Sequence, residues 1–229
     1  SCADASAGWC LMNYQTTAFG AALLPPAAAT AIFAAPERAV PAGVLAPTGR
    51  GRFVDGGMLV SGRWAFASGC DNANWLLGTV VITDKDDKPQ FNPDGTPQIL
   101  LPFFNRDQFE ILDTWRVSGL RASGSHDVEV RDALVPEGHW LSLADPPQAR
   151  GTLFEFPIVS TFPPAVAAVA LGAARAAFDC FVDLARSKVP VGGTTPLRER
   201  GSAQINIARA EALTDSARSY LFETVEALW

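Results

Sequence analysis

The sequence predicts an α+β protein with helices at both ends and a β domain between them, because its composition changes twice. Residues 1–39 are rich in alanine, and Pro25-Pro26 opens a second short helix there. Residues from about 40 to 155 are short Val-, Leu- and aromatic-rich runs separated by Gly, Pro, Asp and Asn. This pattern indicates a β-sandwich or barrel of roughly six to eight strands. From about residue 160 apolar residues recur every three or four positions, which indicates two long helices.

We therefore predict three parts. Residues 1–39 are the remnant of an N-terminal helical domain, 40–155 a middle β domain, and 156–229 the first part of a C-terminal helical domain. The chain opens without Met and reaches Trp229 within an amphipathic pattern, so we expect it to belong to a longer protein. The polar stretch Thr83–Gln98 reads as a hairpin insertion with Asp94-Gly95 as its turn.

The stretch SGRWAFASG, Ser61–Gly69, is unusual among the β-domain strands because it combines Arg, Trp, Phe and Ser within nine residues. If it is a regular strand, alternate side chains point to opposite faces of the sheet. Trp64, Phe66 and Ser68 then share one face. Arg63, Ala65 and Ala67 share the other. Aromatic residues in a sheet are usually core, but they can also line an apolar pocket for a planar ring.

The overall composition limits the possible functions. The 229 residues are 48% hydrophobic and 18% charged, with a formal net charge of −6 and no Lys/Arg cluster, so we expect neither nucleic acid nor a membrane as partner. Two histidines are too few for a multi-histidine metal site, and we expect no metal. Four cysteines without a C-x-x-C pair indicate free thiols and a cytoplasmic protein. They are Cys2, Cys10, Cys70 and Cys180.

Two motifs suggest chemistry, and each also has a structural explanation. Ser125, His126 and Asp127 are adjacent, but neighbours on a strand point to opposite faces and cannot form a hydrolase triad. We expect a turn that enters a strand there. The Gly-rich segment Gly49–Gly57 holds two arginines, yet it precedes a strand rather than a helix. A hairpin loop is the simpler reading, and a phosphate contact is the alternative.

A family resemblance explains the order of the zones. LVSGRWAFASGCDNANW, Leu59–Trp75, resembles without a gap the middle-domain segment V-L-N-G-x-K-x-[FW]-I-T-N-G-x-x-A-D of the acyl-CoA dehydrogenase superfamily. GLRASGSHDVEVRDALVP, Gly119–Pro136, resembles a second segment of that superfamily, and TPLRERGSAQINIARAEA resembles a helical segment more loosely. Helices, β domain, helices is the order of that family. The matched positions of the first segment are Gly62, Phe66, Ala67, Ser68 and Ala73.

Departures from the dehydrogenase pattern point to one branch of the superfamily. Trp64 stands where the dehydrogenases have Lys, and the segment T-E-P-x-x-G-S-D is absent. The chain is more similar to the flavin-dependent monooxygenases, which include the oxygenase components of two-component aromatic and steroid hydroxylases and dibenzothiophene monooxygenases. An acyl-CoA dehydrogenase or oxidase acting on an acyl-CoA thioester, and a degenerate relative without activity, are the alternatives.

The resemblance implies a reduced flavin, FMN or FAD, delivered by a separate flavin reductase. It implies hydroxylation of an aromatic or polycyclic small molecule through a C4a-hydroperoxyflavin, and a homotetramer. Phe66, Ala67 and Ser68 would line the isoalloxazine, with the Ser68 hydroxyl near N5. The other strand of that site would hold Ala46, Pro47 and Thr48. Trp9 and Trp115 are candidates for the substrate wall. The catalytic base is unknown, because the family's base is expected in a C-terminal region beyond these residues.

Overall fold

A computed structural model describes residues 4–34 and 38–229. The chain divides into two compact units: Cys10–Thr161 forms one, and residues 4–9 with Phe162–Trp229 belong to the other. The α+β fold class is as predicted. The boundaries between residues 39 and 40 and between 155 and 156 stay a prediction.

Two helices precede the sheet, and local sequence explains where they begin. Helix α1 spans Ala5–Phe19, and the Asp4 carboxylate accepts a hydrogen bond from the Ala7 amide at 2.8 Å, which caps its first turn. Helix α2 spans Pro26–Phe33 and begins at a proline, as the Pro25-Pro26 pair predicts. The Asn13 side chain ties α1 to the sheet, because its amide group bonds both the N–H and the C=O of Gly43.

The β-rich unit holds one nine-stranded sheet within the described residues, one strand more than the upper end of the predicted number. Its order is β1-β4-β6-β5-β2-β3-β8-β7, and β9 pairs with β6. Only β1–β4 and β2–β5 are parallel pairs among these strands. The strands are β1 (Pro41–Gly43), β2 (Gly49–Val54), β3 (Gly57–Ala67), β4 (Trp75–Leu77), β5 (Val80–Ile82), β6 (Ile99–Asn105), β7 (Glu110–Leu112), β8 (His126–Pro136) and β9 (Trp140–Leu141).

Trp64 is the largest fully buried side chain of this sheet. Its indole N–H donates to the Thr79 carbonyl at 2.9 Å. Three glycines make room for the ring: a Cβ on Gly49, Gly62 or Gly78 would lie 2.3, 2.8 or 2.8 Å from an indole carbon. Trp64 is therefore a core residue, and the space it fills is built from glycines on and beside three strands.

The predicted alternation along Ser61–Gly69 is wrong beyond Trp64. On β8, Val128 pairs with Trp64 and His126 pairs with Ala67, so Ala65 and Phe66 together oppose one residue. This β-bulge places Phe66 in the left-handed region, with φ 64°, and leaves 68% of its surface exposed. Trp64 and Phe66 consequently do not share a face.

The polar arm Thr83–Gln98 is held by two isolated bridges, Thr83 to Pro89 and Phe91 to Pro97. Its turn closes with Gly95 at φ 84°, where the Gly95 amide donates to the Asn92 carbonyl at 2.9 Å. The predicted hairpin is confirmed. A cavity of about 880 Å³ lies beside it, with walls from the arm, β6 and the segment after β9, and Pro47 at its edge.

The other unit contains a pair of long helices, α3 (Phe162–Ser187) and α4 (Gly201–Leu228), which pack on each other. Large apolar side chains remain exposed on both; among them are Leu184, Ile205 and Phe222. By length and composition alone, the stretch Ile158–Ser187 is long and apolar enough to cross a membrane. It carries Arg175 and Asp179 within that length, joined by a 2.7 Å ion pair, and such pairs are typical of water-exposed helix faces.

Candidate functional site

Two tight turns meet at the end of β3, and each is held by the other. The Gly69 amide donates to the Ser123 carbonyl at 2.7 Å, and the Cys70 thiol donates to the Gly124 carbonyl at 3.3 Å. From α1, the Tyr14 hydroxyl donates to the Gly69 carbonyl at 2.7 Å. Gly69, at φ 80°, leaves no space for a side chain, because a Cβ there would lie 2.3 Å from the Tyr14 oxygen. The Ser68–Cys70 turn is therefore fixed from two sides.

Three buried serines connect the two turns. The Ser68 and Ser125 hydroxyl oxygens are 2.8 Å apart, and those of Ser125 and Ser123 are 2.7 Å apart. The Ser123 hydroxyl also donates to the Leu120 carbonyl at 2.8 Å. Ser125 thus bonds to two serines, and the Ser-His-Asp sequence is a turn that enters β8, as predicted, rather than a triad.

Phe66 forms an exposed aromatic surface with Trp115. The two ring centroids are 6.0 Å apart at 82°, an edge-to-face arrangement. His126 positions the loop that carries Trp115, because its Nδ1 accepts the backbone N–H groups of both Thr114 and Trp115 at 3.1 Å. Nδ1 is therefore unprotonated in this arrangement, and the ring proton lies on Nε2, 3.8 Å from an Asp71 carboxylate oxygen.

The predicted flavin-contacting residues outside β3 lie in the connection between β1 and β2. Ala46, Pro47 and Thr48 are all exposed there. The Thr48 hydroxyl donates to the Arg63 carbonyl at 2.7 Å, which brings this connection against β3 three residues before the bulge residue Phe66. The Arg63 guanidinium in turn reaches Asp127 at 2.7 Å.

Trp9 and Trp115 lie in different units of the chain. Trp9 is half-buried on α1, and Trp115 contacts Phe66. Within the described residues no group of three or more His, Cys, Asp and Glu side chains could hold a metal ion. Cys2 lies outside those residues, whereas Cys70 and Cys180 are free thiols, one buried and one exposed.

Burial changes the acidity of two groups beside the turns. Burial, reinforced by the charge of Asp71, raises the pKa of the Cys70 thiol to about 11. Burial likewise raises the pKa of Tyr14 to about 12. Both groups stay protonated at neutral pH, so each acts as a hydrogen-bond donor and neither is poised as a nucleophile or base.

Comparisons with known proteins show which proteins the chain is similar to. Residues 165–229 match the acyl-CoA dehydrogenase C-terminal domain family. The indole-3-acetate monooxygenase of Pseudomonas putida is 32% identical over 228 residues, 99% of this chain and 56% of that protein. The C-terminal part of the chain thus resembles the acyl-CoA dehydrogenase superfamily. The oxygenase component of the FADH2-dependent resorcinol hydroxylase of Rhizobium sp. (strain MTP-10005) is 30% identical over 98% of this chain and 56% of its own length.

Solved structures agree with this resemblance to the acyl-CoA dehydrogenase superfamily. XiaF from Streptomyces sp., in complex with FADH2 and glycerol, matches with a TM-score of 0.84 at 25% identity, over 98% of this chain and 57% of that chain. The 3-HSA hydroxylase from Rhodococcus sp. RHA1 matches with a TM-score of 0.81 at 26% identity, over 95% and 56%. The resemblance to the superfamily's monooxygenase branch is confirmed. The chain spans about half the length of the curated relatives it matches.

Sequence reasoning missed the role of four residues that shape this region: Tyr14, Ser123, Ser125 and His126. The Ser-His-Asp motif contains two of them, and it was interpreted as a catalytic triad or as a turn that enters a strand. Its two turn-forming neighbours, Gly124 at φ 49° and Leu120 at φ 52°, bring it against β3. No spacing rule signals that contact, because Ser68 and Ser125 are 57 residues apart in sequence.

Proposed function

We propose that the protein carrying this chain is the oxygenase component of a flavin-dependent monooxygenase that hydroxylates an aromatic or polycyclic small molecule. The observation that carries the proposal is the bulge in β3. It exposes 68% of an aromatic side chain at φ 64° and places a buried serine hydroxyl two residues later. Non-glycine residues rarely adopt such a conformation, and they concentrate at functional sites.

The described residues fit a flavin in chemical type. Phe66, with its edge-to-face partner Trp115, offers an apolar surface to a planar ring, and Ser68 offers one hydroxyl at its polar edge. Ala67 lies between them in sequence and is buried. Thr48 is hydrogen-bonded to β3, and with Ala46 and Pro47 it completes the proposed set of flavin-contacting residues. When bound in reduced form, the flavin supplies activation of O2.

The protein's own contribution is to position ring and hydroxyl and to keep water away from them. Ser68 is 5% exposed and hydrogen-bonded, so its hydroxyl is oriented before any ligand arrives. The hydrogen bonds of Gly69 and Cys70 to the neighbouring turn fix the backbone that follows Ser68. The exposed Phe66 ring offers an apolar surface from which a bound flavin would displace water.

The relatives support the other parts of the proposal. Their names specify aromatic substrates, and one is an FADH2-dependent oxygenase component, which points to a separate flavin reductase as partner. FMN or FAD as the flavin, Trp9 and Trp115 as substrate walls, a homotetramer and a cytoplasmic location remain parts of the same proposal.

A coupled assay tests the function. The full-length protein, NADH, a flavin reductase and a panel of indoles, phenols and polycyclic phenols are incubated in air, and products are identified by mass spectrometry with ¹⁸O2. Incorporation of one ¹⁸O atom supports the proposal. Bleaching of a bound flavin by an acyl-CoA, with no oxygenated product, would instead indicate a dehydrogenase. Phe66→Ala is expected to lower product yield, whereas Phe91→Ala, at an exposed aromatic on the arm, serves as the matched control.

A further inference from the structure

The segment 113–120, which we call the Trp115 loop, follows β7 and is attached to β8 through two side chains. The Thr114 hydroxyl donates to the Asp127 carboxylate at 3.1 Å and accepts the Asp127 amide at 2.8 Å. Nδ1 of His126 accepts the amides of Thr114 and Trp115, each at 3.1 Å. Thr114 is therefore attached in two ways, whereas the single amide hydrogen of Trp115 is given to the His126 ring.

The Trp115 side chain moves with the backbone of its loop. Its indole N–H donates to the Leu120 carbonyl at 3.2 Å, which lies in the same loop. The same ring meets Phe66 edge to face, with the two centroids 6.0 Å apart. Whatever holds the Trp115 backbone consequently also holds the aromatic surface that these two rings form.

The His126 ring lies between two carboxylates, and they favour the form of the ring that cannot hold the loop. An Asp113 oxygen is 3.6 Å from Nδ1, and an Asp71 oxygen is 3.8 Å from Nε2. A neutral ring offers a lone pair at Nδ1, whereas a protonated ring has an N–H there, which would face two N–H donors. Protonation therefore costs both bonds to the loop and attracts the ring to the carboxylates. The His126 side chain is 16% exposed, so water can deliver the proton.

The other charged or titratable groups beside the ring do not reverse this balance. The Arg116 guanidinium pairs with Asp113 at 2.5 Å, which reduces the attraction of that carboxylate and leaves that of the other. The Arg63 guanidinium pairs with Asp127 at 2.7 Å. Burial raises the pKa of the Cys70 thiol to about 11, so this group is uncharged at neutral and acid pH.

We propose that His126 is a positioning residue that keeps Trp115 against Phe66 only while its ring is neutral, so that protonation of one histidine opens the aromatic surface. Thr114 stays attached to Asp127, and the loop pivots after it. This inference rests on the proposed function for its consequence and adds a regulation of the same site. A planar ring binds there well at neutral pH and poorly in acid.

The fluorescence of Trp115 reports on the loop without any ligand. The emission of the full-length protein, minus that of its Trp115→Phe variant, is recorded from pH 5 to 8, the range in which histidine side chains change charge. We expect this difference to titrate in the wild type and to stay constant in His126→Asn, whose amide oxygen accepts but takes up no proton. His126→Phe has no acceptor and should show the acid spectrum throughout. His139→Asn, at the other histidine of the sequence, is the matched control and should titrate like the wild type.

Flavin binding measures the consequence for the site. FMN and FAD, photoreduced in the absence of oxygen, are titrated into the wild type and His126→Asn at pH 5.5 and pH 7.5. The ratio of the two dissociation constants at each pH cancels the ionisation of the flavin itself. We expect a ratio near one at pH 7.5 and weaker binding by the wild type, about tenfold, at pH 5.5, the size of one or two hydrogen bonds.

The outcomes separate this inference from the proposed function. A Trp115 emission that does not respond to pH, or that responds equally in His126→Asn, overturns the inference alone. A binding ratio within twofold of one at both pH values also overturns it, because the loop then moves without affecting the site. If His126→Asn does not fold, Asp113→Asn replaces it; loss of this carboxylate should lower the pH at which Trp115 responds, and an unchanged midpoint contradicts the inference. If no flavin binds and no oxygenated product forms, the proposed function fails and the regulation fails with it, while the emission still decides whether His126 holds the loop.

Discussion

Replacing Gly78 with alanine forces a methyl group into the buried indole of Trp64. The new Cβ would lie 2.8 Å from the indole Cζ2, 2.9 Å from Cε2 and 3.1 Å from the Phe104 ring. Carbon atoms in contact prefer about 3.5–4.0 Å, so the rings must move. Overpacking of this kind costs about 1–3 kcal/mol of unfolding free energy.

Trp64→Phe produces the opposite defect at the same place. It removes the second ring from a fully buried site and deletes the 2.9 Å bond to the Thr79 carbonyl. We expect a loss of about 2–4 kcal/mol. In the double variant the alanine methyl occupies part of the space that the indole leaves, so the combined loss should fall short of the sum by about 1–2 kcal/mol.

Urea unfolding followed by circular dichroism measures all four proteins of this cycle without depending on tryptophan fluorescence. Gly119→Ala is the matched control, because no atom lies within 4 Å of a Cβ built there and its φ is ordinary. It should be nearly neutral alone and additive with Trp64→Phe. If the losses of unfolding free energy in Gly78→Ala and Trp64→Phe add to within about 0.5 kcal/mol, the view that the glycines make room for the indole is refuted.

Three further predictions concern the site and its supports. Phe66→Gly removes the strain of a left-handed aromatic residue, so it should lower the unfolding free energy less than Ala65→Gly does, and it should weaken flavin binding measured by titration. A larger loss of stability than in Ala65→Gly would contradict the presence of strain. The folded state raises the pKa of Cys70 from near 9 to about 11, so the stability from its bound proton is complete below pH 9 and is lost as pH rises to about 11. Cys70→Ala should flatten the fall of unfolding free energy over this range, and an unchanged slope argues against a proton-linked role. The Asn13 amide nitrogen donates to the Gly43 carbonyl at 3.1 Å, and Asn13→Asp puts a carboxylate oxygen in its place. The substitution should therefore lower the melting temperature more at pH 7, where the carboxylate is charged, than at pH 3. Equal losses at both pH values would count against this.

Periodicity in the sequence was enough to predict the architecture. The change from a period near 3.6 to a period of 2 and back separates helices, sheet and helices, and Pro26 marks the start of α2. Burial of Trp64 followed from an aromatic residue in an apolar strand. These features depend on neighbours in sequence, which is why local patterns reveal them.

The details of the site depend on distant contacts and were not predictable in the same way. Alternation places the side chains of Phe66 and Trp64 on one face, but a bulge opposite Asp127 turns the Phe66 side chain away from that face. No residue type in the strand predicts a bulge. The serine chain needs two turns from separate strands to meet. The Ser-His-Asp motif was correctly rejected as a triad, yet that argument considered only its own strand and gave no indication of Ser68.

The 880 Å³ cavity beside the polar arm has two kinds of wall, and the two differ in how well they tolerate mutation. β6 is fixed by ladder bonds to its neighbours, so most replacements there damage the sheet. Asn92, Pro93, Asp94 and Pro97 are exposed, and they lie outside the named strands of the sheet. Mutations in the arm can therefore reshape the cavity mouth with little effect on folding, so new specificities can arise there without the fold having to be rebuilt.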